Sequence, residues 1–122
     1  MLTISRQVTA GELRTRIRIL KPKDNPTSGN YRNTEYVPLY ADDRAIRCKW
    51  VSAYGTEAIT AQSLGIKDLA TLSLRYDPRI TAECVVERVD IAAQYEIISQ
   101  PVDVDGAHRT LELKVKGRVK AR

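Results

Sequence analysis

Phenylalanine is absent from the 122-residue chain, and tryptophan and histidine each occur once. Aromatic residues make up only 6% of the positions, so any core must be built from Val, Ile, Leu and Ala. A core of this kind is thin, which is typical of a small barrel or sandwich. At this length the chain can bury enough surface for one modest core, and we expect a single domain over residues 1–122.

The scarcity of cysteine and histidine excludes several kinds of chemistry. Cys48 and Cys84 are far apart and form no Cys-x-x-Cys pair, so two reduced, packed thiols are expected rather than a zinc or redox site. His108 lies in a glycine-containing turn without a nucleophile motif, which does not favour a catalytic triad. The segment DVDG at 103–106 resembles the start of a calcium loop, but Lys114 stands where the closing glutamate belongs. We therefore expect no catalytic residues, no metal and no cofactor.

Long apolar runs are also missing. The first residues, MLTISRQVTAGE, contain no signal-peptide segment, and no stretch approaches the ~20 apolar residues of a membrane span. We therefore expect a soluble, intracellular protein without membrane contact. The net charge of +5 permits contact with nucleic acid or with acidic protein surfaces and does not choose between them.

Short stretches of alternating apolar and polar residues recur along the chain, which predicts mainly β structure. The first, ELRTRIRIL at residues 12–20, places apolar residues on one face of an extended chain and arginines on the other. The two faces consist of Leu13, Ile17 and Ile19, and of Arg14, Arg16 and Arg18. Further strands are predicted over residues 44–53, 70–76, 83–90, 94–102 and 110–117. We expect a small antiparallel β-barrel or sandwich of about five to seven strands.

One segment has a helical character instead. Thr56 is a suitable N-cap, Glu57 suits the positive end of a helix, and Gly65 is placed to end it, so one short inserted helix is predicted over residues 56–64. The polar, proline-containing segment 21–37 is predicted to be a long loop. A flexible arm is expected at residues 1–11 and a basic tail at residues 118–122.

Three motifs occur in order along the chain. They are Gly-x-Leu-Arg-x-Arg-Ile at 11–17, Arg-Tyr-x-Pro-x-Ile-Thr at 75–81, and Tyr-Glu-Ile-Ile at 95–98, followed by an Asp-rich turn and a strand of alternating Leu. Together they resemble the phage head-tail joining family, the head-closure or stopper proteins of tailed bacteriophages and prophages, over residues 10–117. Two turns depart from the family pattern. Arg79 replaces a small residue or glycine, and residues 90–93 lack the usual glycine.

The resemblance implies a small β-barrel with a helix beside it that assembles into a ring, a hexamer or a dodecamer, in the virion neck. The implied partners are further copies of the chain, the portal-adaptor complex of the head, and tail proteins. DNA would pass through the ring without tight binding. The isolated chain would be either a monomer that assembles on its partner or an oligomer. The implied protein is structural, has no enzymatic activity or cofactor, and is found in the virion and, during assembly, in the host cytoplasm.

A ring requires each subunit to offer two different surfaces, and arginine-rich strand faces suit such contacts. The arginine face of residues 12–20 is then an interface with a neighbouring subunit or ring, or else a solvated outer face. The predicted helix is expected to pack between subunits. The candidate interface residues are Arg14, Arg16, Arg18, Arg47, Lys49, Thr56, Glu57, Ile59, Gln62, Lys114 and Lys116.

Two other functions remain open. A nucleic-acid-binding barrel of the OB type would use the basic strands as its groove and aromatic rings as stacking platforms, namely Tyr31, Tyr36, Tyr40 and Trp50. Strong phosphate binding would hinder DNA from sliding through a conduit, which favours protein contacts for the basic faces. An assembly chaperone, which would be absent from finished particles, is the second alternative.

Overall fold

The computed structural model describes residues 7–23 and 35–118. Within these residues the chain forms one antiparallel sheet of eight strands, with one α-helix inserted between the third and fourth strands. The strands are β1 (Thr15–Pro22), β2 (Tyr36–Pro38), β3 (Ile46–Ser52), β4 (Ala70–Arg75), β5 (Val85–Arg88), β6 (Ala93–Ile97), β7 (Val102–Asp103) and β8 (Thr110–Gly117), and the helix α1 is Gly55–Ser63.

Six of the strands close into a barrel in the order β1-β3-β4-β8-β6-β5, because β5 pairs back onto β1. Closure leaves no open edge along these strands for unwanted pairing. Outside the barrel, β2 extends the end of β1, and β7 pairs with the start of β8. The mainly β fold with one inserted helix is confirmed, and the barrel form is selected over the sandwich. The two outer strands were not predicted, because they are too short to show an alternating pattern.

The barrel interior is filled by alternate residues of each strand, as the sequence pattern predicted. Leu13, Ile17 and Ile19 of the first segment are buried. Strand β4 contributes alternating buried positions along its whole length, and β8 does so from Leu111 to Lys116. Cys48 and Cys84 are free thiols in this core, and burial raises the pKa of Cys48 to about 12, so that it stays protonated. The prediction of two packed thiols is confirmed.

The helix α1 begins one residue earlier than predicted, with Tyr54 rather than Thr56 in the N-cap position. Its end is confirmed at Gly65, which has a φ of +77°. The amide of Gly65 donates to the Gln62 carbonyl and the amide of Ile66 donates to the Ala61 carbonyl. These two bonds form a Schellman motif, in which the left-handed residue is usually glycine. No helix in the described residues is long and apolar enough to cross a membrane.

The predicted loop at 21–37 is shorter at both ends than expected. Strand β1 continues through Pro22, and β2 begins at Tyr36, where the two residues pair with each other. Residues 24–34 of this loop lie outside the described residues. Such pairing could not be seen in the sequence, because Pro22 and Pro38 suggest a break. Proline is tolerated here because it lies in outer pairing rather than in the middle of the barrel.

Parts of the two predicted terminal segments contact the barrel. In the arm at 1–11, the side-chain amide of Gln7 donates to the Val104 carbonyl, and the Val8 amide donates to the Thr110 hydroxyl. At the start of the predicted tail at 118–122, the Arg118 amide donates to the carbonyl of Gln94. Residues 1–6 and 119–122 lie outside the described residues.

The two turns that depart from the family pattern differ in backbone conformation. At residues 90–93, Ala92 adopts a φ of +52°, so the turn does need the left-handed conformation that a glycine adopts most easily. Arg79 has no such backbone requirement, and it instead binds Asp77 and covers the ring of Tyr40. The Asp-Gly pair at 105–106 forms a reversal before β8, with positive φ at both residues.

Candidate interaction surfaces

Three arginines lie side by side across the outer face of the barrel. Arg16 of β1 is the register partner of Arg47 of β3. The next pair of strands aligns Cys48 with Leu74, so the adjacent residue Arg47 lies beside Arg75 at the end of β4. All three side chains are exposed. We call Arg16, Arg47 and Arg75 the arginine row.

The arginine row is not neutralised within the described part of the chain. None of its three members forms an ion pair or a side-chain hydrogen bond with a residue in 7–23 or 35–118. Directly opposed residues on antiparallel strands have Cβ atoms about 5 Å apart, at which like charges are destabilising. The barrel therefore holds three positive charges together at an energetic cost.

Other predicted basic residues of this face are engaged in ion pairs around the arginine row. Lys49 Nζ lies 2.8 Å from Glu12 Oε2, and Arg18 Nη1 lies 3.2 Å from Glu87 Oε1. The pKa of Glu12 is lowered to about 2, chiefly by Lys49 and by hydrogen bonds from Thr9. These residues contribute to the folded chain itself, so they are less available to a partner than the arginine row.

The remaining basic candidates also form ion pairs or hydrogen bonds within the chain. Arg14 Nε donates to the Gly11 carbonyl at 3.1 Å. On β8, Lys114 Nζ lies 3.4 Å from Glu57 Oε1, and Lys116 Nζ lies 3.1 Å from Glu96 Oε1. The Lys114 to Glu57 contact joins two predicted candidates and connects α1 to the barrel. Each of these ion pairs is exposed and is worth little on its own.

The helix α1 exposes apolar side chains instead of burying them. Of its residues only Ala61 is buried. Ile59 is 68% exposed. Tyr54, just before the helix, is 79% exposed, and Leu64, just after it, is 71% exposed. The other candidates on the helix, Thr56, Glu57 and Gln62, are exposed as well. Residues five apart do not share one face of a helix, so these side chains are distributed around α1 and its two ends. We call Tyr54, Ile59 and Leu64 together the α1 apolar surface.

A cavity of about 420 Å³ lies between α1 and the barrel. Trp50 and Tyr95 line it with their rings edge to face, 4.7 Å apart and inclined at 71°. The guanidinium of Arg88 lies over the Trp50 ring at 4.9 Å and also pairs with Asp90. Contacts within the chain thus position the side chains that line the cavity. Because the cavity separates part of α1 from the barrel, the helix is not closely packed against the core.

A polar cluster follows β4. The Tyr40 hydroxyl donates to Asp77 Oδ2 at 2.8 Å, and Arg79 donates to both oxygens of the same carboxylate. These contacts lower the pKa of Asp77 to about 2, and the hydrogen bonds from Arg79 are the largest cause. The pKa of Tyr40 is raised, and burial is the largest cause. Arg44 and Arg79 both lie over the Tyr40 ring. The cluster fastens the turn at 77–80 to the segment before β3.

The histidine occupies an exposed turn. His108 has a φ of +56°, its backbone amide donates to Asp103 Oδ1, and its Nδ1 contacts Asp103 Oδ2. The ring stacks at a tilt on Tyr76. Within the described ranges, no three His, Cys, Asp or Glu side chains are grouped so as to hold a metal ion.

The rings proposed as stacking platforms for nucleic acid do not form one exposed surface. Tyr40 is buried, and Trp50 faces inward against Tyr95 and Arg88. The ring of Tyr36 is covered by the Arg118 guanidinium at 4.7 Å, and Tyr31 lies outside the described residues. This arrangement does not favour the OB-type alternative.

Arg75, Tyr54 and Leu64 were not among the predicted interface residues. The sequence pattern places Arg75 on the polar face of its strand, but its position beside Arg47 depends on strand pairing that the pattern does not contain. Tyr54 and Leu64 flank the predicted helix. A test for apolar residues just outside helix ends would have found them.

A family model described as phage head completion protein matches residues 8–118 of the chain. Among solved structures, the chain is similar to protein SF1141 from Shigella flexneri 2a, determined in solution, with a TM-score of 0.61 and 20% sequence identity. That similarity covers 93% of this chain and 100% of the other, and at this identity it shows the shared fold alone. No curated protein sequence matches. Because the family model covers nearly the whole sequence, the chain belongs to the phage head completion protein family.

Proposed function

We propose that copies of this chain form a ring at the head-tail junction of a tailed phage, between the portal-adaptor complex and the tail, through which DNA passes. The family match over residues 8–118 carries this proposal, because the family is one of structural head-tail joining proteins. The ring is a hexamer or a dodecamer, forms without catalysis or a cofactor, and assembles in the host cytoplasm before it enters the virion. The chain, residues 1–122, acts in it as a single domain.

The two unlike surfaces of the barrel support a ring. A head-to-tail contact needs different patches on each subunit, and it closes when the rotation between subunits is right. The chain offers the charged arginine row on the outer face of β1, β3 and β4, and the uncharged α1 apolar surface on the inserted helix. These surfaces differ in chemistry and lie on different elements, so each can serve a different neighbour.

The α1 apolar surface is assigned to the contact between copies of the chain. Exposed apolar side chains are disfavoured in water, and covering them stabilises an association by about 25 cal/mol for each Å² removed from solvent. The helix contacts its own barrel through the buried Ala61 and the exposed Lys114 to Glu57 pair, and Ile59 and Leu64 remain exposed. A second copy is the assigned occupant. Copies of a chain with a net charge of +5 repel one another, and an apolar contact between them requires no acidic surface on either copy.

DNA is assigned to the channel without tight binding. Of the rings that an OB-type barrel would offer, Tyr40 is buried and Trp50 and Tyr36 are each covered by an arginine. Arg18, Lys49, Lys114 and Lys116 already pair with acidic groups. A nucleic-acid-binding module should bind single strands with an affinity that falls by orders of magnitude between low and moderate salt. The proposed ring component should bind single-stranded DNA weakly at both.

The experiment that tests the function removes the reading frame from the phage or prophage that encodes it. Induced cells should then contain separate heads and tails in negative-stain electron micrographs, and a plasmid copy of the chain should restore joined particles. A plasmid carrying Lys21→Gln, an exposed position away from both surfaces, serves as the matched control and should restore joining equally. Joined, infectious particles in the absence of any copy would contradict the proposal. Loss of the chain from finished, joined particles would instead support an assembly chaperone.

A further inference from the structure

We propose that the arginine row binds the carboxylates of an acidic segment on the adjoining neck protein. This inference rests on the proposed function and identifies the chemistry of one partner. Arg16, Arg47 and Arg75 are exposed, lie on three adjacent strands and have no acidic partner in the residues 7–23 and 35–118. Arginine forms a planar fork that holds a carboxylate through two parallel hydrogen bonds, and it is enriched at interfaces.

The spacing of the arginine row fits a short acidic segment. Adjacent strands lie about 4.8 Å apart, so the three arginines span about 10 Å across the barrel. Two or three carboxylates on one loop or helix end cover that width. Because the strands are part of a closed barrel, the backbone positions of Arg16 and Arg47 are fixed before the partner arrives, so only side-chain entropy is lost at these residues on binding.

The surroundings of the row disfavour a DNA backbone. Acidic side chains border it: Glu12 beside Lys49, Glu87 beside Arg18, and Glu112 on β8 opposite Ser73. A duplex has a phosphate charge for about every 1.7 Å of its length, so it would extend beyond the row and meet these carboxylates. A short acidic segment of a protein can end within the row and avoid them.

The occupant is a different protein and not a second copy. This chain carries a net charge of +5, and most acidic side chains of the barrel already pair within it. The pairs are Glu12 with Lys49, Asp77 with Arg79, Glu87 with Arg18, Asp90 with Arg88, Glu96 with Lys116, and Glu57 with Lys114. A second copy offers few carboxylates outside such pairs, for example Asp42 and Glu83, whereas an acidic neighbour supplies several together.

The test measures binding of a fluorescently labelled hexaglutamate peptide to the full chain by anisotropy at low salt. The double variant Arg16→Gln, Arg47→Gln is compared with Lys21→Gln, Lys67→Gln, which removes the same charge from exposed lysines that form no ion pair among the described residues. The expected result is at least a ten-fold loss of peptide affinity in the first variant and less than a two-fold loss in the second. Equal losses in both variants would overturn the proposal, because they would show a general charge effect.

A labelled 30-base-pair duplex in the same assay distinguishes phosphates from carboxylates. The two double variants should bind the duplex within two-fold of each other, since the row is not its particular site. A larger loss of duplex affinity than of peptide affinity in the Arg16, Arg47 variant would overturn the proposal in favour of a phosphate site. Circular dichroism spectra of both variants, compared with that of the unmodified chain, check that the variants are folded.

Phage complementation keeps this inference separate from the proposed function. If the deletion strain makes joined particles, the function fails while the peptide result still decides the chemistry of the row. The other case is that the deletion strain needs the chain, but the Arg16→Gln, Arg47→Gln variant restores joining as well as the Lys21→Gln, Lys67→Gln variant does. The proposed function then stands, and the role of the arginine row in the neck is refuted.

Discussion

Arg16 and Arg47 face each other on neighbouring antiparallel strands, and no acidic side chain in the described part of the chain neutralises either. Nearby basic residues are treated differently, because Lys49 has Glu12 and Arg18 has Glu87 as partners. The fold therefore provides partners around the row and leaves the row itself unpaired. Residues kept in an unfavourable arrangement in the isolated chain are those that a partner can relieve.

Neutralising one member of this pair should stabilise the isolated protein. We expect Arg47→Gln to raise the free energy of unfolding by about 0.2–1 kcal/mol at low salt, because it removes a repulsion between directly opposed like charges. The gain should shrink in ~0.5 M salt, where the Debye length is only a few ångströms. Urea unfolding at the two salt concentrations measures both effects.

The matched control for this prediction is Lys21→Gln, an exposed lysine on β1 that has no basic residue opposite it, since Val37 is its register partner. It should change the free energy of unfolding by less than about 0.5 kcal/mol. A loss of stability in Arg47→Gln that is larger than in Lys21→Gln would mean that Arg47 contributes to the fold. The arginine row would then not be held at a cost.

Acid should weaken the cluster of Tyr40, Asp77 and Arg79. The pKa of Asp77 is about 2 in the folded chain, below its ordinary 3.8, so the folded state favours the ionised form. The stability from this carboxylate is complete above about pH 4 and is lost as the pH falls through 2. We expect Asp77→Asn to lower the free energy of unfolding by about 1–3 kcal/mol at pH 7, and to flatten the dependence of stability on pH between 4 and 2.

Asp42→Asn is the control for the acid prediction, because Asp42 is exposed, forms no ion pair within the described residues, and has a φ of +65° that asparagine also tolerates. Its stability should follow the same pH curve as the unmodified chain. If Asp77→Asn retained the full fall in stability between pH 4 and 2, that fall would come from other carboxylates with a lowered pKa, such as Glu12, and the prediction for Asp77 would be wrong.

Glycine should be better than alanine at residue 92. A non-glycine residue in the left-handed region costs roughly 1–2 kcal/mol, and glycine loses roughly 0.5–1 kcal/mol more backbone entropy on folding. Because Ala92 has a φ of +52°, we expect Ala92→Gly to raise the free energy of unfolding by about 0.5–1 kcal/mol. The neighbouring Ala93→Gly, at the start of β6, should lower it. Equal destabilisation by both changes in thermal unfolding would show that the turn is not strained.

The α1 apolar surface should matter for assembly and not for folding. The double variant Ile59→Gln, Leu64→Gln should leave the free energy of unfolding of the monomer within about 0.5 kcal/mol, because both side chains are largely exposed. It should reduce the fraction of chain found in rings by sedimentation velocity when the portal-adaptor complex is present. Val102→Gln, an exposed apolar position on β7, is the control and should assemble normally. Deletion of residues 56–65 with an unchanged ring size would refute the role of the helix.

The fold was largely accessible from the sequence, because the barrel strands have one buried and one exposed face. The alternation in TLELKVKG predicted β8 over its full length, and Gly65 predicted the end of α1. The short strands β2 and β7 were missed, since two or three residues carry no period. Closure of the barrel through β1 and β5 depends on pairing between distant segments, which alternation does not encode.

The candidate surfaces were only partly accessible. The sequence showed that Arg16 and Arg47 face outward, but not that they lie opposite each other or that Arg75 continues the row. It also could not separate basic residues with internal partners, such as Lys49 and Lys116, from those without. Ion pairing depends on which strands are neighbours, so this distinction appears only in three dimensions.

The most direct test of the head-tail joining role is the mass of the protein, alone and mixed with purified portal-adaptor complex, by light scattering coupled to size exclusion. The account predicts that the complex gains the mass of one complete ring of this chain, at a ratio that stays fixed when excess protein is added. An unchanged mass of the portal-adaptor complex at micromolar concentrations of the protein would contradict it.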